Sequence, residues 1–326
     1  MINENIKTRV VGVDIGLDVT NTAVVDVRGN ILGKDSFPTG DNPNIADFAS
    51  VLCDNIVTLV EKYGGYESVR AVGISAPSGN YLTGSIVNSP NMPWKGVVPM
   101  AALLRDRLGL AVALGNNAHV RALGEHAYGA AHGLKDFILL TMGNGVGSCL
   151  FSNGHAHLGQ DGFAGEVGHA CVRPDGRQCG CGKKGCLEMY VARKGIRQTI
   201  HEMLAESDEP SLLRSVDNPT IDQLAAFCQK GDQLSQEVLR RTGMMLGIGL
   251  ANYASVVNPQ AIIFTGKVIH AGEWLLNATE KSFDEHVFPN IRGKVKFLTS
   301  ELEEDEMDLL GASVLAWEVE EYSLFK

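Results

Sequence analysis

The chain reads as an α/β protein of two duplicated lobes. An apolar strand, a glycine-bearing loop and a returning strand occur twice, at 9–27 and again at 137–151. After each of these hairpins, helical and strand-like periodicities alternate, and 326 residues exceed what one core usually holds.

The elements follow in order. Residues 9–14 (RVVGVD) form a buried strand and 21–27 (NTAVVDV) its partner, closed by the loop 16–20. Two strands joined by so short a loop are antiparallel neighbours, which excludes a βαβ start. Arg28, Gly29 and Asn30 make a turn into a third strand. Residues 45–63 place Phe48, Leu52, Ile56, Leu59 and Val60 on one helical face. A strand at 69–75, a short helix at 99–108, a strand at 111–114 and a helix at 118–131 complete the first half. The second hairpin pairs 137–142 with 148–151 around Gly143 to Gly147, the weak internal repeat noted above. Beyond it come a long helix at 233–257, a buried strand at 261–264, one more strand at 294–299, and a helix at 309–320 with small residues Gly311, Ala312 and Ser313. The acidic run ELEEDEMD at 301–308 is read as a solvated loop or helix entrance.

Bulk properties narrow the function. A formal net charge of -10 opposes nucleic acid as the main partner, because backbone binding needs a basic face. No stretch offers ~20 uninterrupted apolar residues, so no membrane partner is expected, and without an export signal the cytoplasm is. Cys53, Cys149, Cys171 and Cys228 stand alone in apolar surroundings and are assigned to the core.

The densest chemistry lies in GQDGFAGEVGHACVRPDGRQCGCGKKGCLE, 159–188. His169, Cys179, Cys181 and Cys186 follow the spacing H-x9-C-x-C-x4-C. Three thiols and an imidazole are a four-ligand structural zinc set, closed to water. Gly180, Gly182 and Gly185 punctuate the cysteines, as a chain wrapping a metal requires. The rival reading, reduced cysteines in a glycine-rich loop, leaves both clustering and punctuation unexplained. A disulfide between Cys179 and Cys181 would be strained.

The ordered motifs, AGEVGH followed by CGCGKKGCLE above all, resemble the ROK family of bacterial sugar kinases and repressors, over almost the whole chain. The resemblance implies an actin- and hexokinase-like, ribonuclease H-like fold with a zinc knuckle in the larger lobe. It assigns residues 1–118 and 309–326 to the small lobe and 119–308 to the large one. Only ten residues precede the strand at 11–14, so the chain is similar to the kinase branch, glucokinases and broader hexokinases, rather than to the DNA-binding regulators. Family members are commonly homodimers.

By the same resemblance, Asn91, Asn116, Glu166, His169 and Glu188 match positions that bind a hexose; for Asn91 a turn role is an equal alternative. Carboxylates suit hydroxyls because each accepts several hydrogen bonds. His169 would give one ring nitrogen to zinc and the other to the sugar. Mg-ATP would be held by Asp14, Gly16 and Asp18, by Gly143, Asn144 and Gly145, and by Gly266 and Lys267. Here the chain departs from the family. Leu17 and Asp18 stand in a D-x-G-G-T loop, where a charge facing polyphosphate costs on the order of 1 to 4 kcal/mol per phosphate charge. Asn144 replaces the threonine of G-T-G, and Lys267 the second glycine of Gly-Gly. Asn117 takes the place of the catalytic aspartate in N-D-A-N, and an amide cannot accept a proton at neutral pH. His119, two residues on, reads as a packing histidine. Two functions follow: an impaired ATP-dependent hexose kinase acting on the 6-hydroxyl, or a sugar-binding sensor or partner subunit without phosphoryl transfer.

Overall fold

The structure, a computed structural model, describes residues 7–90 and 92–319. It divides into two compact units, one of residues 1–133, 158–163 and 301–326, the other of 134–157 and 164–300.

The first unit begins with β1 (Arg9–Ile15), β2 (Val19–Asp26) and β3 (Ile31–Pro38), followed by α1 (Ile45–Lys62) and β4 (Val69–Ala76). A small antiparallel sheet of β5 (Gly79–Asn80), β6 (Ser85–Val87) and β7 (Val97–Val98) precedes α2 (Met100–Leu108), β8 (Ala111–Asn116) and α3 (Asn117–Tyr128). The main sheet has the order β3-β2-β1-β4-β8, antiparallel across β3-β2-β1 and parallel across β1-β4-β8. The helix α1 opens on Asn44, whose side chain accepts from the Ala46 amide at 2.8 Å. It lays Phe48, Leu52 and Ile56 on Val11, Val13 and Ile74 of the sheet.

The second unit repeats the plan with β9 (Phe137–Met142), β10 (Val146–Ser152) and β11 (His155–Ala156). Helices α4 (Glu188–Val191), α5 (Arg193–Glu206), α6 (Ile221–Gln229) and α7 (Gln233–Val257) lead to β12 (Ala261–Thr265), α8 (Glu273–His286) and β13 (Lys296–Thr299). Its order, β11-β10-β9-β12-β13, matches the first sheet strand for strand, with β9, β12 and β13 parallel. The repeat seen in two hairpins therefore extends to both whole sheets.

The chain closes with α9 (Met307–Glu318), in the first unit. Its small residues meet β4 and α3 so closely that a Cβ on Gly73 would stand 1.9 Å from the Ala312 carbonyl oxygen, and one on Gly311 2.0 Å from that of Val120. This contact corrects the expected lobe boundary. The helix α3, placed at the start of the large lobe from sequence, belongs to the first unit because α9 packs on it. Residues 158–163 join the first unit too, where the Asn80 side chain donates to the Asp161 carbonyl at 2.7 Å. Cys53, Cys149 and Cys228 are buried as expected, but Cys171 is exposed. It pairs as a bridge with Cys186, which is buried. Among the described residues no helix is long and apolar enough to cross a membrane.

Candidate functional site

In the first unit the carboxyl ends of three parallel strands bring polar groups together, as open α/β sheets do. Asp14 on β1 lies beside Ser75 on β4, and Ala76 beside Asn116 on β8. Asn116 caps α3 by accepting from the His119 amide at 2.8 Å. Asn117, expected at the base position from the resemblance, donates from Nδ2 to Ser75 Oγ at 2.9 Å, and Ser75 Oγ donates to Asp308 Oδ1 at 3.3 Å. Asp308 is gripped by Arg121, with Nε to Oδ1 at 2.9 Å and Nη2 to Oδ2 at 2.6 Å. Burial, with the charge of Asp308 second, pushes the Asp14 carboxyl up to about 7, against the pull of Arg121 and of a hydrogen bond to Asn21.

His119 does not reach this row. It is buried, its ring stands edge-on to Tyr81 at 5.5 Å, and burial lowers it to about 4, which is the behaviour of a packing histidine. The acidic run at 301–308, expected to be solvated, ends otherwise. Asp308 turns inward as the ion-pair partner of Arg121, with side-chain exposures of 11% and 18%. Sequence reasoning missed Ser75, Arg121 and Asp308. The available signal was a lone arginine among small residues in HVRALGE and an acid at the head of the apolar helix DLLGASVLA.

The three loops expected to meet a nucleotide are open to view one by one. In the first, the Gly16 amide donates to the Val19 carbonyl at 3.0 Å, and the Gly16 carbonyl accepts from Thr39 Oγ1 at 2.9 Å. This closed turn leaves Leu17 and Asp18 exposed. In the second unit, Gly143, Asn144 and Gly145 follow β9, and Gly266 and Lys267 follow β12. Thr141 and Thr265 are paired, so the two loops leave adjacent strand ends. The Arg193 amide donates to the Gly143 carbonyl at 2.9 Å, and Asn144 and Lys267 are exposed.

The segment 164–188 is fastened beside them. Ser148 Oγ on β10 donates to the Gly165 carbonyl and accepts from the Val167 amide at 3.1 Å, which holds Glu166 on its far side from the core. The loop then folds back, with the Leu187 amide on the Ala170 carbonyl at 2.9 Å and Lys183 Nζ on the His169 carbonyl at 2.8 Å. Of its glycines, Gly182 and Gly185 take φ of 90° and 74°, and a Cβ on Gly185 would strike the Arg173 carbonyl oxygen.

One donor atom from each of His169, Cys179, Cys181 and Cys186 lies within 4.8 Å of the other three. Tetrahedral zinc with Zn–S of about 2.3 Å requires ligand separations of about 3.8 Å. The Cys181 and Cys186 sulfurs are 3.6 Å apart, and Cys179 Sγ is 3.8 Å from His169 Nδ1. The donor set therefore fits a metal, and Nδ1 is the nitrogen that faces it, leaving Nε2 for another partner. Glu188 Oε1 is 3.0 Å from Cys179 Sγ and 3.6 Å from His169 Nδ1, so its carboxylate borders the donor cluster. The Glu166 carboxyl is raised by the surrounding protein and then by Glu188, opposed by His169. His169 and Glu188 are thus the two charged neighbours that act on Glu166. Asn91 lies outside the described residues.

Two repeated β-sheets of order 3-2-1-4-5, one of them carrying a Cys/His knuckle, define an actin-like α/β protein of the hexokinase class. The chain belongs to the ROK family, whose model matches residues 10–319. A glucokinase of Halalkalibacterium halodurans is 31% identical over 90% of this chain and 91% of its own. A xylose repressor of Bacillus spizizenii is 27% identical over 90% of this chain and 73% of its own. Among solved structures, a ROK glucokinase of Streptomyces griseus in complex with glucose and AMPPNP shares 28% identity at a TM-score of 0.73, covering 95% of this chain and 100% of that one.

Proposed function

We propose that this protein binds a glucose-like hexose through Glu166, His169 and Glu188, and that it transfers phosphate from Mg-ATP to the 6-hydroxyl only slowly. The hexose assignment is supported by the action of His169 and Glu188 on Glu166 and by the glucokinase and glucose-bound relatives. Zinc held by His169, Cys179, Cys181 and Cys186 would be structural: it would fix the His169 tautomer and aim Nε2 outward.

The slow transfer rests on one observation, Asn117 at the base position with its amide nitrogen committed to Ser75. The attacking hydroxyl must lose a proton, and the amide cannot take it. Loss of a general base typically costs ~10² to 10⁴ in rate. Asp14 is the carboxylate of the first loop that would stand to magnesium, and its ionisation is opposed by burial first and by Asp308 second. A second reading, a hexose sensor without phosphoryl transfer, is favoured by that same pair and by the exposed Asp18, which repels phosphate.

Rates with Mg-ATP in a coupled assay test the proposal, alongside calorimetry with glucose and with Mg-ATP separately. Asn117→Asp should raise the hexokinase rate by ~10²-fold or more. Adding Leu17→Gly and Asp18→Thr should raise it further, more than additively, since both repairs act on one reacting complex. A parent that already turns over at about 10 s⁻¹ refutes slow transfer. Glucose binding with no nucleotide binding decides for the sensor.

A further inference from the structure

A second concave surface lies within the second unit, on the side of the 164–188 segment where α5 and α7 pass. It is a cleft of about 530 Å³, within the range of small-molecule sites. Four arginines line it, Arg173 and Arg177 from the segment and Arg240 and Arg241 from α7, with Met244 and Met245 as an apolar wall. With Asp175 and Glu202 in the lining and Glu237 bonded to Arg240 and Arg241, the four arginines keep an excess of one positive charge, in a chain whose net charge is -10.

The arginines are not equivalent. Arg177 is the floor: it donates to the Met189 and Gly195 carbonyls at 2.8 and 2.9 Å and to Thr199 Oγ1 at 2.9 Å, pairs with Glu202, and lies 4.8 Å over the Tyr190 ring. Glu237 holds Arg240 through Nε and Nη2, and Arg241 through Nε alone, at 2.5 to 2.9 Å. One carboxylate thus fixes two guanidiniums, while both Nη groups of Arg241 and Nη1 of Arg240 make no hydrogen bond among the described residues. The Arg173 guanidinium makes no hydrogen bond or close ion pair among the described residues. A planar guanidinium with two free donors suits a phosphate oxygen pair, and several of them together suit a dianion.

We propose that this cleft binds a phosphate monoester, its phosphate between Arg173 and Arg241 and its organic part on Met244 and Met245. Such a ligand would staple the zinc-ligand segment to α7. The Arg177 carbonyl accepts from the Gly185 amide at 2.8 Å, and the Arg173 carbonyl accepts from the Gly176 amide at 2.9 Å, so both arginines are built into the backbone turns that present Cys179 and Cys186. A nucleic acid is disfavoured by the overall acidity, and an apolar ligand by the four guanidiniums.

The full-length protein would be titrated by calorimetry with glucose 6-phosphate and with inorganic phosphate, at one ionic strength. Arg173→Ala/Arg241→Ala should weaken ester binding about tenfold or more, through the loss of charge-assisted bonds. The exposed pair Arg28→Ala/Arg292→Ala, neither of which lines the cleft, should leave it unchanged. Zinc content and thermal midpoint should match the parent in both variants, since neither Arg173 nor Arg241 supports the floor. Hydrogen exchange in residues 173–186 should slow when the ester is added. Tighter binding of inorganic phosphate than of the ester, lost in the same variant, supports the phosphate contacts and overturns the apolar half of the proposal. Undiminished ester binding in the arginine variant overturns the site. So does equal loss in the Arg28→Ala/Arg292→Ala pair, which would mark nonspecific charge attraction. Loss of ester binding in Glu166→Gln but not in the arginine variant would move the ligand to the hexose position, leaving the proposed function standing and this inference refuted.

Discussion

Replacing Asp308 with asparagine tests the buried polar row directly. Arg121 would lose the charge that holds it through bonds of 2.9 and 2.6 Å, with both side chains largely buried. Removing one partner of such a pair costs ~3 to 5 kcal/mol, because the survivor is left buried and unpaired. Two features reduce that figure here. Asparagine still accepts one hydrogen bond, and Asp14 stands near enough to offer its own charge. That charge depends on pH: burial keeps Asp14 raised, to about 7 in the parent, so near pH 5 it is mostly neutral and cannot help. Near pH 8 it is ionised, and the substitution also relieves its repulsion by Asp308. Asp308→Asn should therefore cost ~3 kcal/mol near pH 5 and about half that near pH 8. Urea unfolding followed by circular dichroism at the two pH values measures both. A loss below ~0.5 kcal/mol at either pH, or a larger loss at the higher one, refutes the assigned coupling.

Asp14→Asn examines the same row from its other end. A carboxyl raised from 3.8 to about 7 contributes stability below its unfolded value that is lost as pH rises through 7. Relative to the parent, the variant should gain stability between about pH 4 and 8, by at most ~4 kcal/mol; a flat difference contradicts the shift. For the knuckle, protein purified without added metal should carry one zinc per chain by elemental analysis, and Cys181→Ser should lose it with destabilisation of the second unit. Less than about a tenth of an equivalent in folded protein excludes zinc there. Glu166→Gln should weaken glucose binding by ~1.5 to 3 kcal/mol in calorimetry, and unchanged affinity removes Glu166 from the hexose contacts. His169→Ala should do more damage, because it also removes a metal donor.

Much of this molecule is local, and local features are legible in sequence. Hairpin chemistry set β1 against β2 and β9 against β10, and the helix 233–257 declared itself over seven turns by its apolar face. The knuckle was equally readable, since its four donors lie within eighteen residues and their spacing alone brings them together. What the sequence could not show were pairings across the chain. Asp308 looked solvated within an acidic run, and only the docking of α9 on Gly73 and Val120 carries it 187 residues back to Arg121. Cys171 looked like core, yet it is exposed while Cys186, opposite it in the folded-back segment, is buried. The arginine cleft likewise joins 173–177 to 240–241, which have no sequence relation. Composition and spacing determine which groups a short segment can hold. Which distant charges share a low-dielectric neighbourhood, and so which protonation states and partners they take, is decided when tertiary packing excludes water between them.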